Sequence, residues 1–161
     1  MLVMDCGAKV LVGGATKEEA WAVLTDAQKE FISSIDEVEI SETGRPLIGR
    51  KWRETRTLFG STATEVMEIV EALENESFVT LASSNGMEYR TTFVVSEQGT
   101  DVLLEVRLEG TALTRTSKIL APIMAFFFNG ATNKALLKDL QETQQEIKNR
   151  QQKKATMAET K

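Results

Sequence analysis

The sequence predicts a single α+β domain in which one face of an antiparallel sheet packs against a long C-terminal helix. The first observation is a hydrophobic period of two residues that is sustained over residues 35–108. The second is a change to a helical period, with apolar residues three and four positions apart over about residues 114–150. Both elements then have one apolar side, and packing the two sides together buries both. A length of 161 residues suits one domain.

Before the sheet, the sequence predicts a short strand and two short helices. The strand spans residues 9–12 and ends at the glycine pair Gly13-Gly14. Thr16 and Glu19 form a T-x-x-E capping box, which is typical of a helix N-terminus. Asp26 can cap a second short helix, so the two helices follow each other with almost no linker.

Six further strands are predicted from alternating side chains and from the turn residues between them. Asn85-Gly86 is a strong signal for a short hairpin. Because the turns are tight, successive strands should pair antiparallel, which gives a sheet of six or seven strands in all. The predicted strands span residues 35–41, 50–58, 62–73, 78–83, 87–95 and 102–108.

The final helix carries an apolar stripe. Pro122 either kinks this helix or marks its first turn. From Gln151 the chain is polar and aperiodic, so we expect residues 151–161 to fray and the folded domain to span residues 1–150. The stripe reads Ile119 or Leu120, Ile123, Phe127, Gly130, Lys134, Leu137, Leu140, Gln144 and Ile147.

The composition excludes several kinds of chemistry. The chain contains no histidine, which removes the usual general base near neutral pH and excludes Ser-His-Asp and Cys-His mechanisms. Cys6 is the single cysteine, so no intramolecular disulfide can form and no zinc site is expected. A net charge of −5 disfavours nucleic acid as a partner. We therefore expect no cofactor, no metal and no nucleic-acid partner.

The hydrophobic pattern also predicts where the protein resides. Asp5 and Lys9 interrupt the N-terminal apolar residues, so no signal peptide is expected. The longest apolar stretch, residues 119–128, is too short to span a bilayer. The sequence therefore predicts a cytoplasmic protein without stable membrane insertion.

The order of these elements resembles the START-related superfamily, also called SRPBCC. The most specific match is residues 10–26, V-L-V-G-G-A-T-K-E-E-A-W-A-V-L-T-D, with Gly49 opening a strand, Gly99-Thr100 before the last strand, and the closing helix. Small bacterial members of the polyketide cyclase/dehydrase or lipid-transport type are the most similar. The resemblance covers about residues 9–149. It implies the helix-grip fold, a curved sheet wrapped around the C-terminal helix, with a cavity that holds hydrophobic molecules.

Inward-facing strand residues would line such a cavity. Arg56 there needs a carboxylate partner, which Glu54 or Glu65 can supply, and the pair could orient a polar group of a ligand. An ordinary surface ion pair is the simpler interpretation, and it is the one we expect. Tyr89, the single tyrosine, is expected to be a core aromatic. The predicted ligand-binding residues are Trp52, Glu54, Arg56, Glu65, Met67, Tyr89, Phe93, Leu104, Met124 and Phe127.

Three consecutive phenylalanines, Phe126, Phe127 and Phe128, span about 200° of the last helix and cannot all face one sheet. Either other elements cover the helix there, or an aromatic ring is exposed for a dimer contact, a pocket mouth or a membrane-skimming edge. Gly130 either allows a close approach to the helix or marks a break in it.

Three functions stay open at this point. The first, which we favour, is binding or carriage of a small hydrophobic ligand such as a lipid, a polyketide or an isoprenoid-like molecule. The second is an enzyme similar to polyketide cyclases or aromatases, with protons transferred by Glu, Asp, Tyr89 or a positioned water. The third is a protein-interaction module, including a homodimer, with an apolar patch near residues 126–128.

Overall fold

The computed structural model contains one seven-stranded sheet and two helices among the residues it describes. These are residues 1–26, 30–42, 47–58 and 60–160, and the side chains of residues 41, 42, 58 and 121–128 lie outside the description. The strands are β1 (Leu2–Val12), β2 (Ile35–Glu42), β3 (Lys51–Leu58), β4 (Ser61–Leu73), β5 (Ser77–Ser84), β6 (Met87–Gln98) and β7 (Asp101–Ala112). The helices are α1 (Lys17–Leu24) and α2 (Arg115–Glu159).

All seven strands pair antiparallel, in the order β1-β7-β6-β5-β4-β3-β2. Strands β2 to β7 form a meander, because each turn returns the chain beside the strand it has just left. β1 instead joins the far edge, where it pairs with β7 and places Cys6 opposite Leu108 and Val12 opposite Val102. The curved sheet and the long helix α2 confirm the predicted α+β, helix-grip architecture.

The β5–β6 hairpin fixes the start of α2. Asn85 and Gly86 have φ angles of 51° and 74°, as the predicted tight hairpin requires. A Cβ on Gly86 would lie 2.7 Å from the hydroxyl of Thr114, the N-cap of α2. The carbonyl of Gly86 accepts hydrogen bonds from the amide of Leu113 at 2.8 Å and from the hydroxyl of Ser117 at 2.9 Å. Glycine is needed at this turn for both its backbone angle and its lack of a side chain.

Helix α1 begins with the predicted capping box. The Glu19 amide donates to the Thr16 hydroxyl and the Thr16 amide donates to the Glu19 carboxylate, each at 3.2 Å. Trp21 is buried and packs edge-to-face on Phe78, with ring centroids 5.7 Å apart. The predicted second short helix, which holds Ala27, Phe31 and Ile32, falls in part on residues 27–29, and these lie outside the described residues.

Helix α2 has 45 residues and is about 68 Å long. It begins at Arg115 and continues through Pro122, so the proline does not mark its first turn. Polar side chains tie it to the rest of the domain: Glu142 accepts from the Ser33 amide at 2.8 Å, and Gln144 donates to the Leu11 carbonyl at 2.7 Å. Among the described residues, no helix carries an apolar stretch long enough to cross a bilayer.

Two element boundaries differ from the sequence-based expectations. β1 begins at Leu2 rather than at residue 9, because pairing with β7 and an ion pair between Asp5 and Arg107 at 2.8 Å compensate for the interrupted hydrophobic alternation. α2 continues to Glu159, so residues 151–159 are helical although they were expected to fray. Residues in this last part have high helix propensity, and Gln151 donates to the Gly14 carbonyl at 3.0 Å.

The inward face of α2 also differs from the predicted stripe. Gly130, Lys134 and Leu137 are exposed. The sequence pattern placed Leu137 in the stripe, where the structure has its neighbour Leu136, whereas the predicted stripe residues Leu140 and Ile147 are buried. The side chains that face the sheet between residues 132 and 147 are those of Thr132, Ala135, Leu136, Asp139, Leu140, Thr143 and Ile147.

Candidate functional site

A cavity of about 460 Å³ lies between the sheet and α2. Strands β2 to β7 supply one wall, α2 supplies the opposite wall, and the end of α1 with the segment after it closes one side. Phe78 and Phe93 stack against each other in the sheet wall, with ring centroids 4.6 Å apart. The apolar lining residues are Leu24, Ile32, Val38, Ile40, Trp52, Met67, Ile69, Phe78, Phe93, Val106, Leu108, Ala135, Leu136 and Leu140.

An ion-pair network crosses the cavity wall from the sheet to the helix. Arg56 of β3 donates through Nε to Glu54 on the same strand, and through Nη1 to Asp139 of α2 at 2.5 Å. Nη1 also donates to the Ser34 hydroxyl at 3.0 Å, and Trp52 Nε1 donates to Glu54 at 3.0 Å. Glu54 is only 8% exposed, and the network holds two carboxylates around one partly buried guanidinium group.

The charges of this network decide the protonation of Arg56. Burial acts to lower the pKa of Arg56, but the carboxylates of Glu54 and Asp139 outweigh burial and raise it above its ordinary value. Arg56 therefore stays positively charged inside the cavity. Its charge is shared between two carboxylates, which leaves the network with an excess of negative charge.

Glu65 is a further carboxylate at this end of the cavity. It lies directly opposite Glu54 in the β3–β4 register, and like charges in that position repel. Burial and the charge of Glu54 raise the pKa of Glu65, while a hydrogen bond from Ser84 and the charge of Arg56 oppose the shift. Within the described part of the chain, Glu65 forms no ion pair. No group of three or more acidic, cysteine or histidine side chains there is arranged to hold a metal.

Two threonines place hydroxyl groups in the apolar middle of the sheet wall. Thr80 of β5 and Thr91 of β6 are directly paired and both line the cavity. Thr80 is 2% exposed, and its hydroxyl has no hydrogen-bond partner among the described residues. A buried polar group without a partner is unusual, because leaving it unpaired costs about 1–3 kcal/mol.

Comparison with solved structures identifies this arrangement of sheet, helix and cavity. A START superfamily protein from Mycobacterium smegmatis superposes with a TM-score of 0.60 and 17% sequence identity, over 82% of this chain and 93% of that one. The chain has the helix-grip fold of START-related proteins. The resemblance that the sequence predicts is thus confirmed at the level of the fold.

Two aromatase/cyclase structures share the helix-grip fold with this chain. The Zhui aromatase/cyclase from Streptomyces sp. R1128 superposes with a TM-score of 0.70 and 16% identity, over 91% of this chain and 94% of that one. The di-domain ARO/CYC protein StfQ from the steffimycin biosynthetic pathway has a TM-score of 0.75 and 18% identity, with 92% of this chain covered. The chain spans about half of StfQ, 52% of its length. No protein-family model and no curated protein matches the sequence.

The helix-grip structure brings six of the ten predicted ligand-binding residues into the cavity lining. Met124 and Phe127 have side chains outside the described residues, as do Phe126 and Phe128. Binding of a ligand by any predicted residue stays a prediction. The six that line the cavity are Trp52, Glu54, Arg56, Glu65, Met67 and Phe93.

Two further predicted ligand-binding residues, Leu104 and Tyr89, do not line the cavity. Leu104 is fully buried in the core cluster that also contains Trp21 and Leu140, so neighbouring side chains cover it on the cavity side. Tyr89 packs beside Met87 in a second apolar cluster, in keeping with the expected core position. Burial and the charge of Glu65 raise the pKa of the Tyr89 hydroxyl.

The Arg56–Glu54 pair is not the surface ion pair that we expected. The expectation failed because strand alternation does not show which face of β3 is concave, and because the second carboxylate partner is 83 residues away on α2. Asp139 was therefore missed, although an acidic residue between Leu136 and Leu140 in a helix with an apolar face is an available signal. The sequence contains no signal for the unpaired hydroxyl of Thr80.

Proposed function

We propose that this protein binds a small hydrophobic ligand in the cavity between the sheet and α2. The observation that carries the proposal is the cavity itself, because about 460 Å³ of space within an apolar lining suits a small organic molecule. Burying about 300 Å² of apolar ligand surface would contribute about 7 kcal/mol before the costs of ordering the ligand. A lipid, a polyketide or an isoprenoid-like molecule has the required surface.

Titration with Nile red, a neutral dye that fluoresces in apolar surroundings, tests this proposal. We expect saturable binding to the freshly purified protein. Ala135 faces the cavity from α2, so Ala135→Phe should fill part of the space and weaken dye binding by about tenfold or more. Gln141→Phe is the matched control, because Gln141 is exposed on another face of the same helix. Equal dye binding by both variants would place the dye outside the cavity and contradict the proposal.

A second candidate function is supported by Glu65. A polyketide cyclase-like enzyme without histidine needs a carboxyl group of raised pKa near a hydrogen-bond donor or cation. Glu65 has a raised pKa, interacts electrostatically with Arg56, and raises the pKa of Tyr89. Two structures that share this fold are described as aromatase/cyclase proteins.

The enzyme proposal is tested by incubating the protein with a poly-β-ketone thioester and following aromatic products by mass spectrometry. We expect ring formation above the rate in buffer, and its loss in Glu65→Gln. Product formation that Glu65→Gln leaves unchanged would exclude Glu65 as the proton-transferring group. No product above the buffer rate would leave only the binding proposal.

A further inference from the structure

The ionisable groups that line the cavity are predominantly acidic. They comprise five carboxylates and two guanidinium groups among the described residues. The carboxylates belong to Asp26, Glu30, Glu54, Glu65 and Asp139, and the guanidinium groups to Arg50 and Arg56. Asp26 is paired with Arg150 at 2.8 Å, and the four other carboxylates still outnumber the two guanidinium groups. This excess of negative charge should repel a ligand that carries a negative charge.

The guanidinium group of Arg56 is not an open site for a ligand carboxylate. Arg56 already donates to Glu54 and Asp139, which together carry more negative charge than Arg56 can balance. Arg50 donates to the Thr25 carbonyl at 3.2 Å, beside Asp26. An anionic ligand group near Arg56 would have to compete with two carboxylates that are fixed in place.

Glu65 also disfavours an anionic ligand group. It faces Glu54 across the β3–β4 pair and has no cation of its own in the described structure. A ligand anion at this end of the cavity would be a third negative group in a partly buried space, where repulsion between like charges is stronger than in water.

Thr80 independently indicates a polar group on the ligand. Its hydroxyl is buried, lines the cavity and lacks a partner among the described residues. The surrounding wall is apolar, with Ile69 paired to Thr80 on one side. A hydroxyl or carbonyl oxygen on a bound molecule would satisfy the hydrogen-bonding capacity of Thr80.

We infer that the cavity selects an uncharged apolar ligand that bears a hydroxyl group, and that it discriminates against carboxylates of the same length. This inference rests on the proposed binding function and narrows it. The carboxylate excess disfavours the anion, and the Thr80 hydroxyl favours a polar oxygen atom within the apolar chamber.

A matched pair of ligands tests the inference. Dodecanol and dodecanoate have the same chain length and differ in charge at a pH of about 8, where the acid is ionised. We expect dodecanol to displace Nile red with an affinity about tenfold or more above that of dodecanoate. Glu65→Gln should narrow this difference severalfold by improving dodecanoate binding.

Thr80→Val tests the second part of the inference. Removing one hydrogen bond should weaken dodecanol binding by about fivefold. Thr64→Val is the control, because Thr64 is exposed and its side chain points to the other face of β4 from that of Glu65. Denaturation midpoints of the variants show whether each is folded.

The outcomes separate the two proposals. If Nile red itself does not bind, the proposed function fails. If Nile red binds but dodecanoate displaces it as well as dodecanol does, or neither displaces it, the inferred ligand class is wrong while the proposed function stands. A third outcome is that dodecanol displaces Nile red better than dodecanoate does, with a preference that neither Glu65→Gln nor Thr80→Val changes. That result would overturn the assignment of the preference to Glu65 and Thr80.

Discussion

Replacing Arg56 with methionine removes a cation that joins the sheet wall of the cavity to α2. Glu54 and Asp139 would then lose their hydrogen bonds to the guanidinium group and repel each other across the cavity. Breaking a fully buried ion pair by removing one partner costs about 3–5 kcal/mol. The side chain of Arg56 is 26% exposed, so water offsets part of this cost and we expect a loss of about 2–3 kcal/mol.

Urea denaturation at neutral pH measures this loss. Arg53→Met is the matched control, because Arg53 lies on the same strand with an exposed side chain that points to the other face. We expect the control to change the free energy of unfolding by less than about 0.5 kcal/mol. Adding Glu54→Gln to Arg56→Met should recover part of the loss, since it removes one of the unpaired charges.

The reasoning would be refuted if Arg56→Met were no more destabilising than Arg53→Met. That result would mean that the network does not hold the cavity wall together.

Three further substitutions have defined outcomes. Because the pKa of Glu65 is raised in the folded protein, the stability that its protonated form contributes is lost as pH rises above 4.5. Glu65→Gln should therefore raise the free energy of unfolding relative to the unsubstituted protein, and by more at neutral pH than at a pH of about 4. Urea denaturation should show a gain of up to about 1 kcal/mol at neutral pH. Gly86→Ala should lower stability by about 2 kcal/mol, and more than Gly99→Ala, because both have positive φ but only Gly86 is crowded by a side chain. Thr80→Val should raise the thermal midpoint of the ligand-free protein by a few degrees, since it removes a buried hydroxyl without a partner.

Most of the fold could be predicted from the sequence because local signals and tertiary structure agree. Alternation in β7 places Val102, Leu104 and Val106 on one buried face, and the Asn85-Gly86 turn sets the register of the β5–β6 hairpin. The capping box at Thr16 also formed as expected. These signals depend on neighbours in sequence, so no knowledge of distant contacts was needed.

The predictions that failed depended on distant contacts. The first half of β1 has weak alternation and becomes a strand through its pairing with β7, about 100 residues away. The inward face of α2 is set by the cavity, so it carries Thr132, Ala135 and Asp139 where a simple apolar stripe was expected. Small and polar residues leave room and supply polar contacts, and both features weaken the hydrophobic period that sequence analysis uses.

The candidate site was predictable in outline only. Trp52, Met67 and Phe93 follow from strand alternation once the concave face is known. The two carboxylate partners of Arg56 do not follow from strand alternation, because one lies on β3 and the other on α2. The position of a polar group in the cavity depends on how strands and helix meet, and no local pattern records that geometry.

Methyl-region NMR of the protein titrated with Nile red tests most directly whether the space between the sheet and α2 accepts a ligand. The account predicts chemical-shift changes at the methyl groups of Met67, Ile69 and Leu136, which line the cavity. It predicts no change at Val66 and Leu113, which are exposed at 52% and 54%. Changes confined to the exposed methyl groups, or no saturable change at the three cavity residues, would contradict the proposed binding site.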